Sequence, residues 1–477
     1  MSIKDRVKGE LDSGQMIVWI RRITAILMLA SVLYTLYTAW SSELMPSKYL
    51  ISVAVGVIII SLGSAIFLWK KKLNTAMTLL SILLASLILV GSYFAYSIVS
   101  AADNFISSVT HSSSVRYETY GVVAMKESEI DFYDSASYQL GVNSMDTYLD
   151  ILKEELGKKS EAEIVDAENL TQLTNFLLDG QMEAITVNLS HLELINANFP
   201  DFDDRTHIIH TFKIKIEGEE PRSAIDGKSP FVVYISGIDT YGSINTSSRS
   251  DVNMLAVINP VTSHILLVNT PRDYFVELAG ANGARDKLTH AGIYGIETSE
   301  ATLENLYGIE IDRHLKVNFT TLVNVVDAIG GITVKSDYPF KSFTVGDNYL
   351  NGRQALEFSR ERYSFERGDI QRGRNQQRVI EGIVSKLSDP QTLLSYQDIL
   401  ISLQGSLQSN VEPVAIKNII NTQLSDMNSW SVESIGVEGT GGQDFTYSMG
   451  DLLLYVMHPD ENSVYEAKEA IARTLGV

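Results

Sequence analysis

Between Tyr349 and Ile380 the chain reads YLNGRQALEFSRERYSFERGDIQRGRNQQRVI, and from Arg360 onward it carries six arginines: Arg360, Arg362, Arg367, Arg372, Arg374 and Arg378. So much positive charge needs either an anion to neutralise it or open water to screen it. Guanidinium is always charged and presents a planar fork of donors, which suits phosphate oxygens better than an ammonium does. The alternative is a solvated, salt-bridged helix pair with Glu357, Glu361, Glu366 and Asp369 as partners. Two elements have to position these cations. Asn351 is placed to cap a short helix whose apolar face is Ala355, Leu356 and Phe358, and Arg360 and Arg362 leave its end. A second helix starts near Asp369, where Arg372, Gln376 and Ile380 fall at four-residue steps, so Arg372 and Gln376 share one face.

A second set of charges lies upstream. The apolar run PFVVYISGID (230–239) suits a strand buried on both faces. The segment 249–273, RSDVNMLAVINPVTSHILLVNTPRD, reads as strands 253–259 and 264–270 joined by a Pro-containing turn. A turn centred between Val261 and Thr262 sets Asp251 opposite Arg272. If the preceding strand runs antiparallel to 253–259, Asp239, Arg249, Asp251 and Arg272 converge at one sheet end. Two adjacent carboxylates raise each other's proton affinity unless a cation sits between them, and two aspartates are a minimal protein ligation for Mg²⁺ bridging a diphosphate. The structural alternative makes Asp239 and Asp251 ordinary strand-end turn formers and Arg272 the ion-pair partner of Asp273.

Composition narrows the rest. The 477 residues allow two or three domains, and the absence of cysteine removes disulfides, thiolate metal sites and a cysteine nucleophile. A net charge of -20 argues against a general nucleic-acid binder. Three apolar stretches, Ile23 to Ala39, Tyr49 to Trp69 and Leu79 to Val99, contain no charged side chain, and each is long enough to cross a hydrocarbon layer of about 30 Å. Lys4, Arg6, Lys8, Arg21 and Arg22 precede the first, and Lys70, Lys71 and Lys72 separate the second from the third. The positive-inside tendency makes both places cytoplasmic, so the Ser41 to Lys48 loop and everything after about residue 100 are expected outside. The first hundred residues hold nine basic and four acidic side chains, which leaves the remainder near -25 and makes its arginine cluster stand out further.

Residues 1–100 thus read as a membrane anchor, 101–226 as an extracellular accessory domain and 227–477 as a second exterior domain. A Ser-rich tether or continuation of the third helix spans 101–114. After it come predicted strands 117–125, 183–188 and 210–218 and helices 144–156 and 169–179, a small α/β unit. His207 and His210 near Asp201, Asp203 and Asp204 read as scattered surface groups before a strand rather than a metal site. The stretch 217–230 has linker composition. Gly330 and Gly331 end a helix and open a strand, without the spacing of a nucleotide-binding loop. Beyond about 388 the pattern gives helices and a last strand near Trp430 to Thr440, with residues 440–445, TGGQDF, as a flexible turn.

RSDVNMLAVINP, NTPRD, AIGGITV, LNGRQALEFSRER and GDIQRGRNQQRVI, in this order and spacing, resemble the LytR-CpsA-Psr family, and the three-span anchor with an accessory domain is similar to its capsule-assembly members in streptococci. The resemblance implies an α/β/α domain with a mixed central sheet and a long apolar tunnel for a polyprenyl chain. It implies a Mg²⁺-assisted transferase, with Mn²⁺ as an alternative ion, that moves capsular polysaccharide from undecaprenyl diphosphate onto peptidoglycan and leaves the lipid phosphate. Its surroundings would be membrane lipid and other capsule-assembly membrane proteins. On matching positions Asp239 and Asp251 would hold the metal. Arg249, Arg272, Arg360, Arg362, Arg372 and Gln376 would bind the diphosphate, with Asp251, Arg272, Arg360 and Arg362 closest to the chemistry and Lys287 a further candidate. The family pattern has an arginine just before that glutamine, where Asn375 stands here and Arg374 comes one position earlier. The chemistry of the residues agrees: cleaving a diphosphate ester needs charge neutralisation and in-line positioning more than covalent help, and a hydroxyl nucleophile wants a base, for which Asp251 and Asp273 are both in reach. A lipid diphosphate hydrolase using water, and a non-enzymatic regulator that only binds the lipid-linked polymer, are the competing readings.

Overall fold

The computed structural model describes residues 3–70, 75–109, 115–133, 138–217, 225–238, 248–366, 368–387, 407–426 and 430–477. Asp239, Arg367, Lys71, Lys72, most of the 217–230 linker, the end of the 101–114 tether and the chain just after 388 lie outside the described residues.

Helices α1 (Ile3–Ser41), α2 (Ser47–Trp69) and α3 (Thr75–Val109) form the N-terminal bundle, and each contains an apolar segment long enough to cross a membrane: Gln15–Ser41, Ser47–Trp69 and Thr75–Asn104. The third helix runs on through residue 109, so the tether begins as helix. Apolarity alone gives helices in lipid no reason to associate, and small residues let them approach. Ala25, Ala65 and Ala85 accordingly sit buried at the contacts with Met28 and Leu68. Arg21 closes the far end of α2, donating through Nη2 to the carbonyls of Leu68 at 2.8 Å and Lys70 at 2.6 Å, at the helix end where intrahelical donors run out.

The accessory unit contains β1 (Val115–Met125), β2 (Gln139–Asn143), α4 (Leu149–Lys159), β3 (Glu163–Ala167), α5 (Leu170–Leu178), β4 (Ala184–Asn188), α6 (Leu192–Asn198), α7 (Phe202–Arg205) and β5 (Thr206–Glu217). Its sheet order is β3-β2-β4-β1-β5, with β1 antiparallel to both neighbours and β2 parallel to both of its own. β2 and β3 are short and were not expected, since five residues carry too little alternation to read. His210 on β5 stacks on Phe132 at 4.2 Å between ring centroids, and no group of three or more potential metal ligands gathers among the described residues.

The last unit is built on β6 (Phe231–Ile238), β7 (Ser250–Asn259), β8 (His264–Thr270), β9 (Phe275–Glu277), β10 (Arg285–Lys287), α8 (Leu288–Ala291), α9 (Ile296–Tyr307) and β11 (Arg313–Asn318). It continues through α10 (Phe319–Ala328), β12 (Ile332–Ser336), β13 (Gly346–Leu350), α11 (Gly352–Arg360), α12 (Gly368–Leu387), β14 (Gln408–Ser409) and α13 (Pro413–Asp426). β15 (Ser431–Gly436), β16 (Gly439–Phe445), β17 (Leu453–Pro459) and α14 (Glu461–Leu475) complete it. The central sheet, β14-β11-β6-β7-β8-β15, is mixed: β11 pairs parallel with β6 and β15 with β8, while β6, β7 and β8 are antiparallel. Alternating side chains cover both faces. Tyr234, Leu255, Val257 and Val268 pack on Leu303 of α9 and Val464 and Ile471 of α14, whereas Met254, Ala256 and Leu267 face Ile380 of α12. Residues 440–445 are not a turn. They form most of β16, paired along its length with β17; three glycines hid the strand, because glycine carries little strand propensity.

The accessory unit and this domain share one apolar core, in which Leu173, Leu177, Ile195 and Phe202 meet Leu278, Ile293, Tyr294 and Met449. Ser190 Oγ donates to the Ile293 carbonyl at 3.2 Å, and His191 packs edge-on against Tyr294. Burial, and secondarily the nearby His290, pushes His191 down to about 4. A buried neutral histidine binds fewer protons than the unfolded chain, whose value is about 6.5, so its contribution is complete above that pH and is lost as pH falls towards 4. Chemical unfolding of the full chain in detergent is expected to show a loss of about 2 kcal/mol from this group between pH 7 and pH 5. His191→Phe should flatten that part of the profile, and an unchanged pH dependence would refute the assignment.

Candidate active site

The site lies where the carboxyl end of β6, the start of β7 and the segment just after β8 meet the helices on one face of the sheet. β7 pairs with β8 in the register Asn253 to Thr270, which carries Asp251 to Arg272 as the sequence arithmetic predicts. Arg272 Nη1 donates to Asp251 Oδ2 at 3.0 Å, and Thr289 Oγ1 donates to Asp251 Oδ1 at 3.1 Å, so the carboxylate is held from both sides. Arg272 also reaches Asp273, with Nε 3.5 Å from Oδ2, and Lys287 Nζ stands 3.3 Å from the other oxygen of Asp273. α8 is fixed to this strand end because Thr289 N donates to the Arg272 carbonyl at 2.8 Å. Behind it Asp286, His290 and Ser448 form a buried hydrogen-bonded cluster, with His290 Nδ1 2.6 Å from Asp286 Oδ1.

The arginine segment folds as its capping and periodicity dictate. Asn351 and Gln354 form a reciprocal capping box at the start of α11, whose Ala355 and Phe358 are buried. In α12 the RGRNQQR run divides by helical face. Arg372 and Gln376 point into a cavity. Gln377 faces the sheet and donates to the carbonyls of Leu267 at 3.1 Å and Ile435. Asn375 faces α11 and donates to the Phe358 carbonyl at 3.1 Å, which is why an asparagine stands there. Arg374 and Arg378 face outward, paired with Glu438 at 3.9 Å and Asp337 at 2.8 Å. Gly373 lets α12 approach β8, since a Cβ there would collide with the side-chain amide of Asn269.

The cavity, of about 260 Å³, has two chemically distinct parts. Asp251, Arg272, Arg360, Arg362, Arg372 and Gln376 line its polar part, and Ile235, Val252, Val317, Leu322, Val379 and Ile380 belong to its apolar walls. Four arginines and one carboxylate line the polar part, with Asp273 and Asp369 paired to them from outside the lining, which leaves it positive. Burial, then the adjoining Arg272, holds Arg372 below its ordinary value despite its ion pair with Asp369 at 3.2 Å. Arg272 is burdened by burial too, but Asp251, Asp273 and Asp369 carry it above its ordinary value. Arg360 lies over the Phe319 ring at 4.1 Å and Arg362 over Tyr363 at 4.7 Å, so both are oriented by aromatic faces. Cations crowded in this way, with Arg272 and Arg372 partly buried, favour a polyanion.

Of the residues singled out from sequence, Arg249 does not line the cavity: it is ion-paired to Glu193 of α6 in the accessory unit. Asp239 lies outside the described residues, although Ile238 immediately before it pairs with Ser250 beside Asp251. Lys287 stands behind Asp273 rather than in the cavity wall. Sequence reasoning missed Thr289, Phe319 and Tyr363 as part of the site. An aromatic directly following Arg362 was a readable signal for Tyr363; nothing local marked the other two.

Fold and site together define a bundle of three membrane-length helices and an α/β/α domain whose cavity is lined by arginines on one part and apolar side chains on the other. The chain belongs to the LytR_cpsA_psr family, whose model matches residues 203–469. Among similar proteins, the polyisoprenyl-teichoic acid–peptidoglycan teichoic acid transferase TagU of Enterococcus faecalis is 32% identical over 237 residues, covering 48% of this chain and 77% of the relative. TagU of Bacillus subtilis is 30% identical over 231 residues, covering 47% and 70%. TagU of Bacillus cereus is 33% identical over 206 residues, covering 42% of this chain and 64% of the relative. The crystal structure of B. subtilis TagV matches with a TM-score of 0.45 at 22% identity, over 52% of this chain and 98% of that one.

Proposed function

We propose that this chain is a membrane-anchored transferase that moves a glycopolymer, capsular polysaccharide by its architecture, from a polyprenyl diphosphate carrier to peptidoglycan on the outer side of the membrane. One observation carries the reading: Arg272, Arg360, Arg362 and Arg372 line the same cavity as Ile235, Leu322 and Val379. A cationic end joined to a hydrocarbon-lined end suits an amphiphile with a diphosphate head and an isoprenoid tail. The relatives' names, as polyisoprenyl-linked polymer transferases to peptidoglycan, lend further support.

In this reading the four guanidinium groups bind the diphosphate and neutralise the charge that develops on the leaving lipid phosphate. The acceptor hydroxyl oxygen bonds to the distal phosphorus and the bond from that phosphorus to the lipid phosphate oxygen breaks. The proton passes to Asp251 or Asp273, and the lipid leaves as monophosphate. Asp251 keeps lone pairs beyond those taken by Arg272 and Thr289, and one or two carboxylates plus substrate phosphates is the donor set Mg²⁺ ordinarily takes, so the residues fit such an ion. Asp251 and Asp239 would hold it, and it would supply additional charge neutralisation at the phosphates.

Purified full chain, given polyprenyl-diphosphate-linked oligosaccharide and peptidoglycan, is expected to release lipid monophosphate one for one with wall-linked sugar. Release at the same rate without peptidoglycan would make it a hydrolase, and donor binding without release a regulator. Chelation is expected to lower transfer about 10²-fold, with recovery on adding Mg²⁺ or Mn²⁺. Full activity in chelator would remove the metal from the proposal.

A further inference from the structure

The β16–β17 hairpin adjoins the arginine site without lining its cavity. Met457 N donates to the Asp273 carbonyl at 2.7 Å and a parallel bridge joins Met457 to Tyr274, so the hairpin is fastened to the segment that carries Arg272. In its register Gln443 is opposite Tyr455 and Phe445 opposite Leu453, which puts these four side chains on one face. The outer part of this face is bare: Phe445 is 55%, Leu453 52% and Tyr455 48% exposed, while Met457, next along the same face, and Val456 on the other are buried. A Cβ on Gly441 would stand 2.9 Å from Tyr455 Oη, so the phenol lies across a strand kept clear by glycine. Partial burial, then the charges of Asp273 and Asp369, pushes the Tyr455 hydroxyl up from its ordinary value, which sets the ring within the field of the site.

We propose that this face binds the peptidoglycan glycan strand that accepts the polymer, the ring faces of Tyr455 and Phe445 and the side chain of Leu453 taking the apolar C–H faces of its sugars and Gln443 their polar rim. The inference rests on the transferase reading for the word acceptor, not for the binding. Three arguments favour this occupant. An exposed aromatic and aliphatic face beside a reaction site marks a recognition surface. In-line displacement puts the incoming hydroxyl opposite the leaving lipid phosphate, which occupies the cavity side, and the hairpin stands outside that cavity. Residues 439–459 contain no lysine or arginine but include Asp444 and Asp451, a charge pattern that opposes seating on an anionic membrane.

The test is direct titration of the detergent-solubilised full chain with soluble uncrosslinked peptidoglycan strands, without donor. Tyr455→Ala and Phe445→Ala are each expected to weaken strand binding about tenfold. In transfer assays they should raise the half-saturating acceptor concentration by the same factor, leaving kcat and the donor dependence within about twofold. Gly441→Ala, which displaces the phenol without removing it, should act in the same direction. Unchanged strand binding in both alanine variants would overturn the proposal. So would loss of binding to phosphatidylglycerol vesicles in place of loss of strand binding, which would make the face a membrane contact. Strand binding is read without turnover, so a wild-type chain that binds strands but transfers nothing would sink the transferase reading and leave the platform standing.

Discussion

Arg272→Ala is expected to lower polymer transfer about 10³-fold at equal amounts of protein in the membrane. Two losses combine. The guanidinium is one of four that face the proposed diphosphate, and removal of a single preorganised charge from a desolvated site costs about 10²–10³ in rate. It is also the cation held between Asp251, at 3.0 Å, and Asp273, at 3.5 Å. Without it those two carboxylates turn part of the site's field against an incoming anion. Arg272→Lys keeps the charge but loses the fork that spans both aspartates, and is expected to retain activity reduced about 10²-fold. Arg374→Ala is the matched control, because Arg374 is exposed on the opposite face of α12 and should change transfer by less than about twofold. Quantifying wall-linked polymer in the three variants decides the matter: native transfer by Arg272→Ala would remove the phosphate assignment, and equal loss in Arg374→Ala would reduce it to bulk charge.

The contrast between Arg372, in the cavity wall, and Arg374, at the surface of the same helix, shows where the chain was legible. The hairpin register, the capping box at Asn351 and the four-residue spacing of Arg372 and Gln376 are local rules, and each placed its residue correctly. Arg249 reads from sequence as part of the same cluster because it lies two residues from Asp251, yet it precedes β7, which begins at Ser250, and Glu193, 56 positions upstream, claims it. No local rule reports such a pairing. Thr289 illustrates the same limit: it reaches Asp251 from a helix of four residues whose placement depends on backbone bonding to the 272–274 segment. The hairpin beside the site was hidden for a different reason. Its glycines suppress strand propensity, and what they achieve is room for Tyr455 across Gly441. The general positions of sheet and helices follow from periodicity, whereas the partition of Arg372, Arg374 and Arg378 between cavity and surface needed the packing of α12 against both β8 and α11.

Filling the apolar end should separate the two halves of the proposed ligand. Leu322 lines the cavity from α10 opposite the sheet-borne Ile235, and it is only half-buried, so a larger side chain can enter the empty space without displacing the domain core. Leu322→Trp puts an indole into a cavity of about 260 Å³. Overpacking of this kind costs about 1–3 kcal/mol of stability, which the membrane-anchored fold should survive and a melting curve will register. Mass spectrometry of lipid extracted from purified protein is expected to show polyprenyl phosphate content reduced about tenfold or more, with transfer falling in step, because the tail loses the apolar surface that held it. Binding of inorganic pyrophosphate, which has no tail, should stay within about twofold, since Arg272, Arg360, Arg362 and Arg372 are untouched. Arg372→Ala should do the reverse, weakening pyrophosphate more than it weakens retention of lipid. If Leu322→Trp keeps its lipid, the tail does not lie in this cavity; if it loses pyrophosphate as well, the cationic and apolar parts are one collapsed pocket and not the two ends of a single amphiphile's site.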